Sequence, residues 1–319
     1  MSIVALSQLT PGLLCGELND LSLAARTPKT VPLLGMAKVG FVGLGVMGGP
    51  IAGHLINGGH DVTVWNRSTA KSEPLRAQGA TVAPDLKSLA ENCDVIFTCV
   101  GRSEDVAEVV REMAPHAKPG TLFIDHSTIE PSMARTLCNE LKSQNLNFVD
   151  APITGGTMGA QKGTLTIFCG GDHNDVASAM TVMLPYTKRA ERVGDSGSGQ
   201  VMKLANQIAV GGALLGLCES IAFAKKAGLD INQAHSMIGG GAGGSWAFEN
   251  YGPKVLNQDW TPGFSVKNQR KDFGYCEAAA KDLGIEIAMT ELANRLLGEL
   301  QKLGREEEAT AALYEVYLK

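Results

Sequence analysis

From Ala37 to about Val193, short apolar runs alternate with stretches of helical character. The runs are Val39–Val42, Val62–Trp65, Val95–Val100, Leu122–Ile124, Phe148–Val149 and Leu165–Cys169. Between them, segments such as Pro50–Gly58 and Ser103–Met113 read as helices, and Pro131 suits a first helical turn, where its missing N–H costs nothing. Strand–helix alternation of this kind predicts a parallel sheet covered by helices on both faces. After Gly199 the strand-like runs stop. Gln200–Ala227, Asn232–Ile238, Asp272–Leu283 and Thr290–Lys302 read as helices, with Gly228, Gly284 and Gly304 where C-terminal caps would fall. The expected class is α/β, a doubly wound sheet over residues 36–197 followed by an all-helical domain over 198–319. The helical part is entered by one long helix.

Composition narrows the function classes. The 319 residues are 44% hydrophobic and 19% charged, enough for a sizeable core. A net charge of −5 argues against a nucleic-acid footprint, which needs a clustered basic surface. Seven cysteines, an odd number with no C-x-x-C pair, suggest core thiols in a reducing, cytoplasmic setting. The six histidines are scattered singly, so no metal site is expected. The longest apolar run, Ile208 to Leu217, is shorter than the ~20 residues a membrane span needs. Residues 1–35 contain Pro11, Pro28 and Pro32, show weak periodicity and carry Glu17 and Asp20. They lack the Arg-rich character of a transit peptide and the basic start of a secretory signal. A poorly ordered extension, or an upstream start before Met36, is expected there.

The most informative segment runs from Lys38 to Gly48. A buried-type strand leads into Gly43-Leu44-Gly45-Val46-Met47-Gly48, and a helix follows. In that context the spacing G-x-G-x-x-G is a dinucleotide-binding signal of the Rossmann type. Gly43 allows the tight turn, Gly45 lets a pyrophosphate approach, and Gly48 lets helix and sheet pack closely. The phosphates would lie on N–H groups at the helix start. A carboxylate at the end of the second strand would bind the ribose 2′-OH of NAD. Here the chain reads Asn66-Arg67-Ser68 instead, and Asp61 precedes the strand. Arg67 can pair bidentately with a 2′-phosphate, with Asn66 and Ser68 adding hydrogen bonds, so NADP (as NADPH) is expected over NAD.

Three further segments bear on chemistry. They are Asp125-His126-Ser127-Thr128-Ile129-Glu130-Pro131, Asp150-Ala151-Pro152-Ile153-Thr154-Gly155-Gly156, and Gly197-Ser198-Gly199-Gln200-Val201-Met202-Lys203-Leu204-Ala205-Asn206-Gln207. The first follows a strand, so its hydroxyls fall at the carboxyl edge of the sheet, where open α/β folds bind ligands; it would equally serve as a helix cap. The second is read as a loop whose small residues and free N–H groups suit a carboxylate. In the third, Lys203 stands in the first turns of a helix, where the dipole disfavours its charge. A partly buried lysine of depressed pKa can exchange a proton with a carbonyl or alcohol oxygen near neutral pH.

Together with the glycine turn, these segments resemble the β-hydroxyacid dehydrogenase family, over essentially everything from Met36 onward. Its members include 3-hydroxyisobutyrate dehydrogenases, tartronate semialdehyde reductases and glyoxylate/succinic semialdehyde reductases. The resemblance implies that Lys203 is the catalytic acid/base and that Thr128 contacts the cofactor near the nicotinamide. It also implies that Thr154, Gly155 and Gly156 bind substrate. Many relatives carry Ser at the place of Thr154; the hydroxyl survives and the added methyl narrows the pocket. The orienting amide is either Asn206 or Gln207. The Phe…Lys-Asp pattern matches Phe264, Lys271 and Asp272, which implies that Lys271 reaches the cofactor while Phe264 and Asp272 border the site. Trp246, in a predicted loop, is a substrate wall or else a core or interface anchor.

The implied reaction is NADP(H)-dependent interconversion of a short 3-hydroxy (or 2-hydroxy or 4-hydroxy) carboxylic acid and its semialdehyde. Two rival readings are an imine reductase-like enzyme and a non-catalytic NADP-binding interaction module. An intact Lys203 argues against both. A homodimer or homotetramer is implied by the resemblance, and Gly211, Gly212 and Gly216 permit close approach of another helix.

Overall fold

The computed structural model describes residues 36–319, so the expected extension over 1–35 lies outside the described residues. The strands are β1 Lys38–Val42, β2 Asp61–Trp65, β3 Thr81–Val82, β4 Val95–Thr98, β5 Leu122–Asp125, β6 Asn147–Asp150, β7 Ile153–Thr154, β8 Leu165–Gly170 and β9 Thr187–Gly194. Seven helices accompany them: α1 Gly48–Asn57, α2 Glu73–Arg76, α3 Leu86–Asn92, α4 Ser103–Met113, α5 Pro131–Ser143, α6 Gly156–Lys162 and α7 His173–Met183. The remaining helices are α8 Ser198–Lys226, α9 Ile231–Gly239, α10 Trp246–Asn250, α11 Gly252–Asn257, α12 Val266–Leu283 and α13 Ala288–Lys302, before a closing 3₁₀ segment Thr310–Leu318.

The sheet order is β3-β2-β1-β4-β5-β6-β8-β7, with β9 on β8. The first six strands are parallel and form a Rossmann-type sheet whose order reverses between β1 and β4, the crevice where such folds bind ligands. The expectation of a wholly parallel sheet needs correction: β8 runs antiparallel to both β6 and β7. Thr187–Gly194 is a strand that apolar runs could not reveal. It is an edge strand whose exposed Lys188, Arg189 and Glu191 break the pattern and guard the edge. The segment read as a loop at Ile153–Thr154 is also a short strand, β7.

Period-two alternation divides the strand side chains between two cores. Val39, Phe41, Val64 and Ile124 pack with α1 and α7 on one face, while Val42, Ile96, Phe123 and Phe148 pack with α3, α4 and α5 on the other. A third core lies within the helical region, where Leu214, Leu217, Cys218 and Ile221 of α8 meet Phe248, Phe273, Leu297 and Tyr314. The three anticipated cap glycines, Gly228, Gly284 and Gly304, are left-handed, with φ of 80°, 69° and 74°.

Helix α12 begins six residues before the expected Asp272, because the polar stretch Lys267–Arg270 hides its apolar stripe. Helix α8 also revises the membrane argument. At 29 residues with a window mean hydropathy of 1.6, it is long and apolar enough to cross a bilayer, whatever the length of its longest unbroken run. Half of that window is instead buried inside the protein, the pattern of a core helix.

Candidate active site

The glycine turn at the end of β1 is shaped by contact. Gly43 has φ of 99°, and a Cβ there would stand 2.3 Å from the Cys99 carbonyl oxygen, so no other residue fits without strain. A Cβ on Gly48 would stand 2.0 Å from the Gly43 carbonyl, which shows how tightly α1 starts against the turn. A Cβ on Gly45 would meet nothing within 4 Å, so the turn is open on that side, near the sheet's switch point. Val46 is 67% exposed beside it, and Met47 is half-buried against the core. Leu44 is buried, and its N–H donates to Asn66 Oδ1 at 2.9 Å. Asn66 thus braces the turn from the end of β2, and its amide also donates to Ser68 O. Arg67 stands outward, its side chain 73% exposed, with one guanidinium nitrogen 3.2 Å from Asp105.

Across the crevice, Ser127–Glu130 is fixed almost atom by atom. Asp125 Oδ1 accepts from Thr98 Oγ1 at 2.7 Å and from Ser127 N at 3.0 Å. Ser127 Oγ accepts from Val100 N, and Glu130 N donates to Ser103 Oγ. Thr128 O accepts from Lys271 Nζ at 3.0 Å, and the same ammonium donates to Gly101 O at 2.7 Å. Lys271 therefore reaches from α12 to two loops at the carboxyl edge of the sheet. His126 is buried between Ala151 O and Tyr186 Oη, and burial pushes its pKa down to about 4, so it is neutral.

Lys203 is buried on α8, only 8% exposed. Burial pushes its pKa down to about 8, with Lys271 adding to the fall and Asp272 opposing it. The sequence pointed to the helix dipole; desolvation is the larger cause. The neighbourhood is linked by hydrogen bonds. Asn206 Nδ2 donates to Gln207 Oε1 at 3.0 Å, and Gln207 Nε2 donates to Asp272 Oδ2 at 2.7 Å. Asp272 Oδ1 lies 3.2 Å from Lys271 Nζ as an ion pair, outside hydrogen-bonding direction. Of the two amides left open by the sequence, Gln207 is buried and tied to Asp272, while Asn206 is half-buried. Two lysines around one aspartate leave the neighbourhood net positive, which suits an anionic ligand.

The Thr154–Gly156 segment meets a different set of residues. Thr154 is half-buried, and Gly155 and Gly156 take φ of 132° and 64° into α6. A Cβ on Gly156 would stand 3.9 Å from Trp246 Cη2, and one on Gly263 would stand 3.5 Å from Thr157 Oγ1. Trp246 opens α10 rather than sitting in a loop; it is 46% exposed and lies edge-on to Tyr251. The structure thus gathers Gly156, Thr157, Trp246 and the Gly263–Phe264 segment, and separately gathers Lys203, Gln207, Lys271 and Asp272. Arg67, just past β2, pairs with Asp105, which itself lies close to Gly101.

Two contributors have no obvious mark in the sequence. Asp150 at the end of β6 accepts from Gly197 N at 2.7 Å and Gln200 N at 3.0 Å, holding the start of α8. The Gln200 amide donates to Ser127 O and accepts from Ile129 N.

Comparison with known proteins identifies the family. The family described as the NAD binding domain of 6-phosphogluconate dehydrogenase matches residues 38–194. That described as NAD-binding of NADP-dependent 3-hydroxyisobutyrate dehydrogenase matches residues 197–317. An uncharacterized oxidoreductase of Bacillus subtilis, YkwC, is 37% identical over 88% of this chain and 99% of its own length. A probable 3-hydroxyisobutyrate dehydrogenase-like protein of Arabidopsis thaliana is 38% identical over 86% of this chain and 84% of its own. The structure of Mycobacterium tuberculosis 3-hydroxyisobutyrate dehydrogenase with L-serine superposes with a TM-score of 0.81 at 27% identity, covering 88% of this chain and 98% of that one. The chain belongs to the 3-hydroxyisobutyrate dehydrogenase (β-hydroxyacid dehydrogenase) family, NAD(P)-dependent oxidoreductases of hydroxy acids and their semialdehydes.

Proposed function

We propose that the protein reduces a short carboxylate-bearing semialdehyde, or oxidises the corresponding hydroxy acid, with NADP(H), and that Lys203 is its acid/base. The observation that carries this reading is the buried Lys203 ammonium, its pKa pushed down to about 8, beside Asp272 and Lys271, the latter hydrogen-bonded to the Thr128 carbonyl. The residues fit a dinucleotide. A Cβ would clash at Gly43 and Gly48 and meet nothing at Gly45, which supports a tight turn with room for a pyrophosphate at Gly45. Gly43–Gly48 would hold the phosphates, Thr128 would face the nicotinamide side, and Lys271 would fix the Thr128 peptide. When bound, the reduced nicotinamide supplies hydride to the carbonyl carbon and is itself oxidised.

In the reductive direction Lys203 donates one proton to the carbonyl oxygen, stabilising the charge that develops there. In the oxidative direction the neutral amine removes the hydroxyl proton. Thr154 with the Gly155 and Gly156 N–H groups would hold the carboxylate. Gln207, anchored by Asp272, would orient the reacting oxygen with Asn206. Trp246 and Phe264 would exclude water. L-serine, found with the tuberculosis enzyme, carries a carboxylate and a hydroxyl on its third carbon, which supports the short 3-hydroxy class.

The preference for NADP rests on the absence of an acid after β2 and the presence of Arg67. Its exposed pairing with Asp105 is worth about 0–1 kcal/mol, so a 2′-phosphate can displace it. We propose residues 36–197 and 198–319 as the cofactor and substrate/oligomerisation domains. A homodimer or homotetramer is proposed on the exposed apolar side chains of α8 and α9, Phe223 at 77% and Met237 at 71%. The six described cysteines are all free, which supports a reducing, cytoplasmic setting. The test is a panel of glyoxylate, succinic semialdehyde, tartronate semialdehyde and a cyclic imine, each with NADPH and NADH. Turnover of a semialdehyde with NADPH is expected; turnover of the imine alone, or of nothing, would overturn the reading.

A further inference from the structure

A buried primary amide is costly unless both of its ends are paired. Gln200 is fully buried, and it pairs both ends across a single residue of another segment. Nε2 donates to Ser127 O at 2.9 Å, and Oε1 accepts from Ile129 N at 3.1 Å. These are the peptide groups on either side of Thr128, gripped as an adjacent strand would grip them. The carbonyl of Thr128 itself is taken by Lys271.

The backbone of Gln200 is fixed as well. Its N–H and that of Gly197 donate to the two carboxylate oxygens of Asp150. Lys203 follows three residues later on the same helix, on the same face and about 4.5 Å further along the axis.

We propose that Gln200 is a positioning residue: its amide clamp on the peptides flanking Thr128 sets the distance between the Lys203 ammonium and the cofactor loop. The proposal rests on the reading of Lys203 given above. A slide of α8 by one ångström would break both amide hydrogen bonds. It would also move the proton donor relative to the reacting carbonyl, a displacement that costs about 100-fold in rate when reacting groups must be aligned. Asp125 and Ser103 hold the same loop from the sheet side, so losing the clamp leaves the loop folded but uncoupled from α8.

Two substitutions in the full chain test this. Gln200→Met keeps the length of the side chain and removes both hydrogen bonds. Gln200→Glu keeps an acceptor for Ile129 N and, assayed at a pH where its carboxyl is ionised, loses the donor to Ser127 O. The first readout is amide hydrogen exchange without added ligand. The Ile129 amide should exchange about tenfold faster or more in Gln200→Met and stay slow in Gln200→Glu. The second is steady-state kinetics with NADPH. In Gln200→Met, kcat should fall about 100-fold while KM for the semialdehyde and Kd for NADPH stay within about threefold. If Gln200→Met does not fold, Gln200→Glu decides: about a tenfold fall in kcat is expected from its single lost donor.

Wild-type exchange at Ile129 in Gln200→Met, wild-type kcat in whichever variant folds, or kcat and NADPH affinity falling together would overturn the clamp. The two readings fail separately. An inactive Lys203→Ala beside a fully active Gln200→Met removes only the clamp. A fully active Lys203→Ala removes the acid/base assignment, and the exchange result still shows whether Gln200 holds the loop.

Discussion

The acid/base role proposed for Lys203 rests on the place that holds it. With a pKa of about 8, it is mostly protonated at neutral pH yet able to give up its proton. Initial rates fix the sign. Reduction requires the ammonium, so its kcat should hold below pH 8 and fall above it; oxidation requires the neutral amine, so its kcat should rise through the same pH. Burying this cation also strains the fold. The unfolded chain binds the proton more tightly, so stability rises with pH between about 8 and the ordinary lysine value of about 10.4. Lys203→Met should therefore stabilise the protein at pH 7, by up to about 3 kcal/mol, while abolishing turnover. Denaturant melts should show that gain vanish above pH 10. Arg67 makes the contrasting case, exposed and weakly paired. Arg67→Ala should raise KM for NADPH about 10- to 100-fold, the worth of a charged hydrogen bond, and leave KM for NADH unchanged.

At the scale of elements, α8 joins the two halves of the site. Its start is held by a carboxylate from β6, its first two turns carry Gln200 and Lys203, and Gln207 one turn after Lys203 meets Asp272 of α12. Burial raises the Asp150 pKa to about 7, against the two N–H donors that favour its charge. Asp150→Ala leaves those donors unpaired in the interior and should cost about 2–4 kcal/mol in a urea melt, with Lys203-dependent turnover falling further than stability alone explains. Elements whose apolar positions follow one period were legible in sequence: β1, β2 and β4, helix α4, and α8 to within two residues at its start. Strand β9 was hidden by the charges an edge strand carries, and the front of α12 by exposed Lys267 and Asn268 and by a glutamine, Gln269, on its buried face.

For the whole molecule, the start of α8 is held at the carboxyl edges of β5 and β6, on the sheet whose order reverses between β1 and β4. The glycine turn announced that edge, because its spacing follows from steric necessity at Gly43 and Gly48. Lys203 and the Thr154–Gly156 segment enter the proposed site through resemblance, which places residues in an order but says nothing of what braces them. Asp150, Gln200 and the two-ended reach of Lys271 depend on segments 47 to 170 residues apart, a pairing that no local pattern encodes. The same holds for an apolar groove of about 560 Å³ between α8 and α9, lined by Phe223, Leu229, Met237 and Ile238. It lies away from the site chemistry, on the face where a second copy is proposed. The most direct test of the central claim is the NADPH-dependent kcat of Lys203→Ala on a semialdehyde that the wild type reduces, with NADPH binding followed in parallel. The account predicts a loss of about 100-fold or more, as for removal of a general acid, with NADPH affinity nearly unchanged. A variant that turns over at the wild-type rate would contradict it.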